Sequence, residues 1–148
     1  MKTIILFLII GLGLSLTYYE PDKAVSYARK YCKKYNTDYK EYDFDGTNFV
    51  SQCLIAGGQD FEKCIGVDSK GSIYLLGNLK ACLLQKGWKT RANSIPQKFK
   101  PGYPFIGDSS VMIATDIKND TITFCKHTSD TCEEKTTDHR FIFFYLPD

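Results

Sequence analysis

Apolar residues in this chain change their spacing once, and that single change restricts the fold class more than any other feature. Up to Gly87 they recur every three to four residues, in three stretches marked by Ala24, Ala28, Tyr31-Cys32 and Tyr35, by Phe49, Val50 and Cys53-Leu54, and by Ile73, Leu76, Leu79 and Leu83. Pro101-Gly102-Tyr103-Pro104 is turn chemistry, and beyond it the pattern is extended, over Ser110 to Ile117, Thr121 to Cys125 and Phe141 to Leu146. Helices come first and antiparallel strands last, without alternation. The class is therefore α+β, with N-terminal helices packed on a small antiparallel sheet, and not a doubly wound parallel fold.

Local signals set the element boundaries. Glu20-Pro21-Asp22-Lys23 starts a helix that runs to about Asn36, with Pro in the first turn and acids near the positive end of the dipole. Its basic residues, Lys23, Arg29, Lys30, Lys33 and Lys34, form a solvated face. The second helix stops at Gly57-Gly58, Gln59 to Gly71 is loop, and a third helix spans Ser72 to Lys86 before Gly87. Trp88, the only tryptophan, opens a short strand and belongs to the core. Lys118-Asn119-Asp120 turns a β-hairpin, and one further strand completes the sheet. Asn119-Asp120-Thr121 is an N-glycosylation acceptor that this hairpin would expose.

Met1 to Thr17 reads as a signal peptide, with basic Lys2, an apolar run from Ile4 to Leu16, and small residues Ser15 and Thr17 at cleavage spacing. An uncleaved membrane anchor would want about twenty apolar residues. Cleavage leaves 131 of the 148 residues, which suits one domain over 18–148. Losing Lys2 takes the basic count from 19 to 18 against 17 acids, a formal charge of +1. No basic block tracks a phosphate backbone, so nucleic acid is excluded as a partner, and no later stretch suits a bilayer. A monomer without metal or cofactor is expected.

All six cysteines, Cys32, Cys53, Cys64, Cys82, Cys125 and Cys132, follow the signal, and an even count in an exported chain points to disulfides. Close C-x-x-C pairs of the zinc kind are missing. Cys125 with Cys132 is the expected local bridge and Cys53 with Cys64 the next, although Cys53 on a buried helix face also suits a free core thiol.

The stretch that bears on chemistry is Asp45-Gly46-Thr47-Asn48-Phe49-Val50-Ser51-Gln52, where an acidic loop carrying Tyr39, Tyr42, Asp43 and Phe44 runs into the second helix. Asp45 or Thr47 caps the helix with a side-chain oxygen. A cysteine at such an N-terminus would meet unpaired N–H groups and the positive dipole end, and would become a nucleophile. Asp43 and Asp45 form a pair of carboxylates that loop solvation and capping explain without acid–base chemistry.

This octet resembles the D-C-T-N-F-V-S-Q segment of the Putative amidase domain family, a branch of the NlpC/P60 group of papain-like cysteine hydrolases. Seven of the eight letters agree, and the family's nucleophilic cysteine falls on Gly46. The resemblance implies a papain-like fold with the site at a helix N-terminus facing the sheet. It also implies a histidine at the start of the first sheet strand, where Asp108-Ser109-Ser110-Val111-Met112-Ile113 places Ser110, or Ser109 if the register slips by one. The orienting polar group follows the next strand, and Lys126-His127-Thr128-Ser129-Asp130 supplies His127 there.

A cysteine hydrolase needs a thiolate, an imidazole to generate it and a group to orient that imidazole. Of the three positions only His127 keeps an ionisable group. Cys53 lies seven residues beyond Gly46, about 10 Å further along the helix. A serine route through Ser109 or Ser110 with His127 as base has no G-x-S-x-G elbow behind it. His139 sits in a polar loop. The expectation is a secreted pseudoenzyme with no intact catalytic set, whose groove, bordered by Asp45, Thr47, Asn48 and Ser109, holds a peptide or peptidoglycan-like ligand. The alternatives are an amidase or peptidase with a non-standard site, or a structural secreted protein with a filled groove.

Overall fold

Pro21 at the first turn starts helix α1 (Pro21–Tyr31), which buries Ala24, Val25 and Ala28 and turns Arg29 and Lys30 toward solvent. The computed structural model describes residues 18–148, so the signal peptide expected over 1–17 lies outside the described residues. Helix α2 (Gly46–Ala56) is buried along nearly its whole length, with Phe49, Val50, Cys53 and Leu54 without exposed surface. Helix α3 (Leu76–Gln85) buries Leu79, Cys82 and Leu83. Six strands follow: β1 (Lys89–Ala92), β2 (Pro104–Ile106), β3 (Val111–Lys118), β4 (Thr121–Lys126), β5 (Thr131–Thr136) and β6 (Ile142–Tyr145). They form one antiparallel sheet in the order β1-β6-β2-β3-β4-β5.

The α+β class holds, with α1 and α2 packed on the face of β3 and β4. The core between them joins α2 to Phe105, Ile113, Phe124 and Phe143 of the sheet, and Trp88 is sealed into it against Tyr19 and Tyr103. Among the described residues no helix is long and apolar enough to cross a membrane.

Four expectations need correction. Helix α1 ends at Tyr31, five residues before Asn36, because the Tyr31 carbonyl is taken by a ring nitrogen of His127 and Cys32 is tied to Cys132. Helix α3 begins at Leu76, not Ser72. Ser72 is held by the Asp68 carboxylate, and Ile73 pairs with Val67 in an isolated bridge while its N–H donates to Ser51 Oγ.

The sheet has six strands where four were expected. Strand β2 begins on Pro104, inside the stretch read as a turn, and β5 is a polar edge strand whose Glu133-Glu134-Lys135 are all exposed. Polar, charged edges are what keep a sheet from pairing with other chains, and they erase the alternation by which strands are found. The bridges are Cys32–Cys132 and Cys64–Cys82, while Cys53 and Cys125 are buried free thiols. Neither expected pairing forms. Cys125 lies on the covered side of β4 with no exposed surface, whereas Cys132 turns back toward the end of α1.

Candidate functional site

Asp45 shows why the site is arranged as it is. It precedes α2, but no side chain caps that helix, because both Asp45 carboxylate oxygens are committed elsewhere. Oδ1 accepts from the Tyr42 N–H at 3.2 Å and from Asn48 Nδ2 at 2.8 Å, and Oδ2 lies 2.7 Å from His127 Nδ1. The expected capping by Asp45 is thus replaced by a hydrogen bond with His127 in which both side chains are 1% exposed.

His127, just after β4, has its side chain 1% exposed at the floor of the site. Its Nε2 lies 2.6 Å from the Tyr31 carbonyl, Phe49 stacks on its ring at 3.9 Å, and Tyr35 lies 4.8 Å away. A carbonyl only accepts, so Nε2 carries a proton, and Nδ1 faces a carboxylate. Neither nitrogen offers a lone pair to a substrate. The pair joins four parts of the chain: the acidic loop, the start of α2, the end of α1 and the end of β4.

Directly above this pair is a cleft of about 230 Å³, lined by Asp43, Phe44, Asp45, Gly46, Thr47, Leu76, Ser109, Ser110, Val111, His127 and Thr128. Gly46, Ser109, Ser110 and His127, widely separated in sequence, therefore converge on one opening. Gly46 is the first residue of α2 and does not use a left-handed φ. A Cβ built there would stand 2.9 Å from Thr128 Oγ1, so the Thr128 hydroxyl sits where a side chain at position 46 would begin. Asn48, one of the expected groove residues, lies beneath the cleft with no exposed surface, its amide donating to the Lys40 carbonyl and to Asp45. Gln52 accepts from the Tyr27 hydroxyl and is likewise structural. His139 bonds the Asp120 carbonyl at the far end of the β3–β4 hairpin.

Sequence reasoning missed Leu76 and Thr128 as lining residues. It also missed the Asp68 network, in which Tyr42 OH and Ser72 Oγ donate to Oδ2 while the Lys70 and Ser72 N–H groups donate to Oδ1. Burial pushes the Asp68 carboxyl up, but those four donors outweigh it and hold it below the usual carboxylate range. With Tyr42 also stacked on Tyr74 at 4.3 Å, the network fixes the wall of the acidic loop. An Asp-x-x-x-Ser spacing in a loop is a signal too common to have singled it out.

The two free thiols are not substitutes for a nucleophile. Burial pushes Cys53 well above the ordinary thiol range and Cys125 up to about 11, and each is fully buried. Among the described residues no cluster of His, Cys, Asp or Glu could hold a metal ion. Larger hollows, of about 680, 700, 330 and 560 Å³, lie on the 59–71 loop, beside the C-terminus, over the Cys32–Cys132 bridge and at the start of α1. None of them is lined by Gly46, Ser110 or His127, so the smaller cleft is the candidate site.

These features define an α+β protein with a cleft at the N-terminus of its central helix, floored by a buried Asp–His pair. Residues 18–102, more than half of the chain, match the Putative amidase domain family, and the chain belongs to that family. The match takes in Gly46 and all three helices, and ends before Ser110 and His127. No curated protein and no solved structure matches the chain.

Proposed function

We propose that the protein is a secreted, NlpC/P60-like member of this family that binds a peptide or peptidoglycan-like ligand in the cleft and does not hydrolyse it. The observation that carries this reading is the convergence of Gly46, Ser110 and His127 on one open cleft without a nucleophile or a free base among them. Gly46 has no side chain, Thr128 stands where one would begin, Ser110 cannot accept a proton near neutral pH as imidazole does, and His127 is held by Asp45 and Tyr31. Loss of a nucleophile leaves only what binding and oxyanion contacts supply. A serine route through Ser109 or Ser110 is disfavoured for the same reason, since the only nearby imidazole has both nitrogens engaged.

Secretion is supported by the signal-like segment before Tyr18 and by two disulfides, which are compatible with an extracellular protein. Asn119 fits a glycan acceptor, being exposed at the tip of the β3–β4 hairpin in a left-handed conformation, φ 53°, that Asn tolerates. The test is titration of the disulfide-intact protein with acetylated peptides and stem-peptide fragments. Saturable binding without release of product supports the reading, and product release lost in Ser110→Ala overturns it.

A further inference from the structure

From Lys23 to Thr37 the chain holds five basic residues and no acidic one. Four of them, Arg29, Lys30, Lys33 and Lys34, are exposed and meet at the C-terminal end of α1 around a hollow of about 330 Å³. The Cys32–Cys132 bridge lines it, and Glu133 of β5 is the one acid there. This hollow shares no lining residue with the cleft at α2.

Helix polarity explains only part of the cluster. Basic residues in a last turn favour the negative end of the dipole, which accounts for Arg29 and Lys30. Lys33 and Lys34 lie beyond that turn, and the Tyr31 carbonyl is already taken by His127. Arg29 is committed inside the fold, donating to the Glu133 carboxylate at 3.0 Å and to the Thr115 carbonyl at 3.2 Å. That leaves three ammonium groups. Lys30 and Lys34 lie over the Tyr31 ring at 4.9 and 5.7 Å, and among the described residues no ion pair includes Lys30, Lys33 or Lys34. Like charges around one small hollow repel one another, and screening over about 8 Å at physiological salt does not remove that repulsion. A shared anion would.

We infer that this end of α1 binds an acidic polysaccharide, whose sulfate or carboxylate groups sit in the hollow among Lys30, Lys33 and Lys34. The kind of anion follows from what the patch lacks. None of the exposed large apolar side chains, Tyr18, Phe44, Ile65, Tyr74, Leu75 and Leu84, borders the hollow, so it has nothing to insert into a lipid surface. Its only guanidinium is committed, so it lacks the two-pronged donor that grips the phosphate of a phosphopeptide. What remains is a set of compact ammonium charges, suited to acid groups repeated along a sugar chain. The bridge, closing a separation of 100 residues, and the two Arg29 bonds fix the wall of the hollow before a ligand arrives, which lowers the cost of binding.

The experiment titrates a sulfated heparin oligosaccharide and its desulfated counterpart into the disulfide-intact protein, beside phosphatidylcholine vesicles containing phosphatidylserine. The sulfated chain is expected to bind, and to weaken at least about tenfold as salt rises from about 50 to about 200 mM, because binding releases its counterions. The desulfated chain, with fewer acid groups, should bind at least about tenfold more weakly. The triple variant Lys30→Gln, Lys33→Gln, Lys34→Gln should lose about tenfold in affinity for the sulfated chain. Lys63→Gln, Lys70→Gln, Lys86→Gln removes the same charge from the 59–71 loop and the end of α3, and should change affinity less than about twofold. If the first triple variant does not fold, Lys33→Glu alone, at an exposed side chain outside every ion pair, should still cut affinity about tenfold. Equal losses in the two triple variants overturn the inference, because net charge would then account for the binding. Binding to the vesicles without binding to the sulfated chain overturns it in favour of a lipid surface, and failure of the sulfated chain to bind at millimolar concentration overturns it outright.

Discussion

Two layers of the same site, one residue apart in sequence, have opposite fates. At Asp45 and His127 every polar atom is paired and both side chains are 1% exposed. Gly46, Thr47 and Ser110, immediately above, line an open cleft, and α2 begins without a side-chain cap from Asp45. The ionisable residues of the site are part of the architecture, while Gly46, Thr47 and Ser110 line the opening. An intact histidine near a helix N-terminus is therefore no evidence of catalysis, because what decides its role is whether a nitrogen lone pair reaches the cleft.

Changing the lower layer should destabilise the fold. Removing one partner of this buried Asp–His hydrogen bond leaves the other polar group unpaired, at about 1–3 kcal/mol. Either Asp45→Ala or His127→Ala should therefore consume a substantial part of a total stability of about 5–15 kcal/mol. The double variant should cost less than the sum of the singles, and denaturant melts of all three variants measure the coupling. A sum of singles equal to the double would show that the pair is not the tie described here.

The bridge beside that layer is the second test. Cys32–Cys132 closes a sequence separation of 100 and Cys64–Cys82 one of 18. Chain-entropy estimates give about 4.7 and about 3 kcal/mol for loops of those sizes. Replacing Cys32 and Cys132 by serine should lower the melting midpoint more than replacing Cys64 and Cys82. Thiol counting on unreduced, denatured protein should find Cys53 and Cys125 and no others, and six thiols would remove the framework.

A smaller effect is expected on the acid side of neutrality. Asp68 has its carboxyl held below its unfolded value, so its contribution is fully present above about pH 4, the range of an unfolded aspartate, and is lost as pH falls through the lower folded value. Asp68→Asn should flatten that acid limb and loosen the acidic loop around Tyr42. Smallest of all, Ser110→Ala should shift stability by no more than about 0.5 kcal/mol. Gly46→Cys requires only that Thr128 rotate from the 2.9 Å contact, and should give a thiol that iodoacetamide labels near pH 6, where buried Cys53 and Cys125 do not react. Adding Ser110→His should not restore turnover, because His127 is already committed and cannot orient a second imidazole.

The octet from Asp45 to Gln52 made α2, its stop at Gly57-Gly58 and the position of the site legible, because an apolar face and a glycine stop are local signals. The order of helices before strands gave the α+β class for the same reason. What was not legible depended on distant partners. Asp45 reads as a cap until His127 arrives from 82 residues away, and Cys32 has no assigned partner until β5 brings Cys132 to it. Strands β2 and β5 escaped because one starts on a proline and the other is a charged edge with no apolar side. The lining role of Thr128 could not be read at all, since only the missing Cβ of Gly46 gives it a place.

The claim that the cleft binds without cutting is tested most directly by mass spectrometry of acetyl-Ala-Ala-Phe-amide after prolonged incubation with the wild-type protein and with Ser110→Ala. The account predicts no product above the buffer control with either protein. Product formed by the wild type and absent with Ser110→Ala would contradict it.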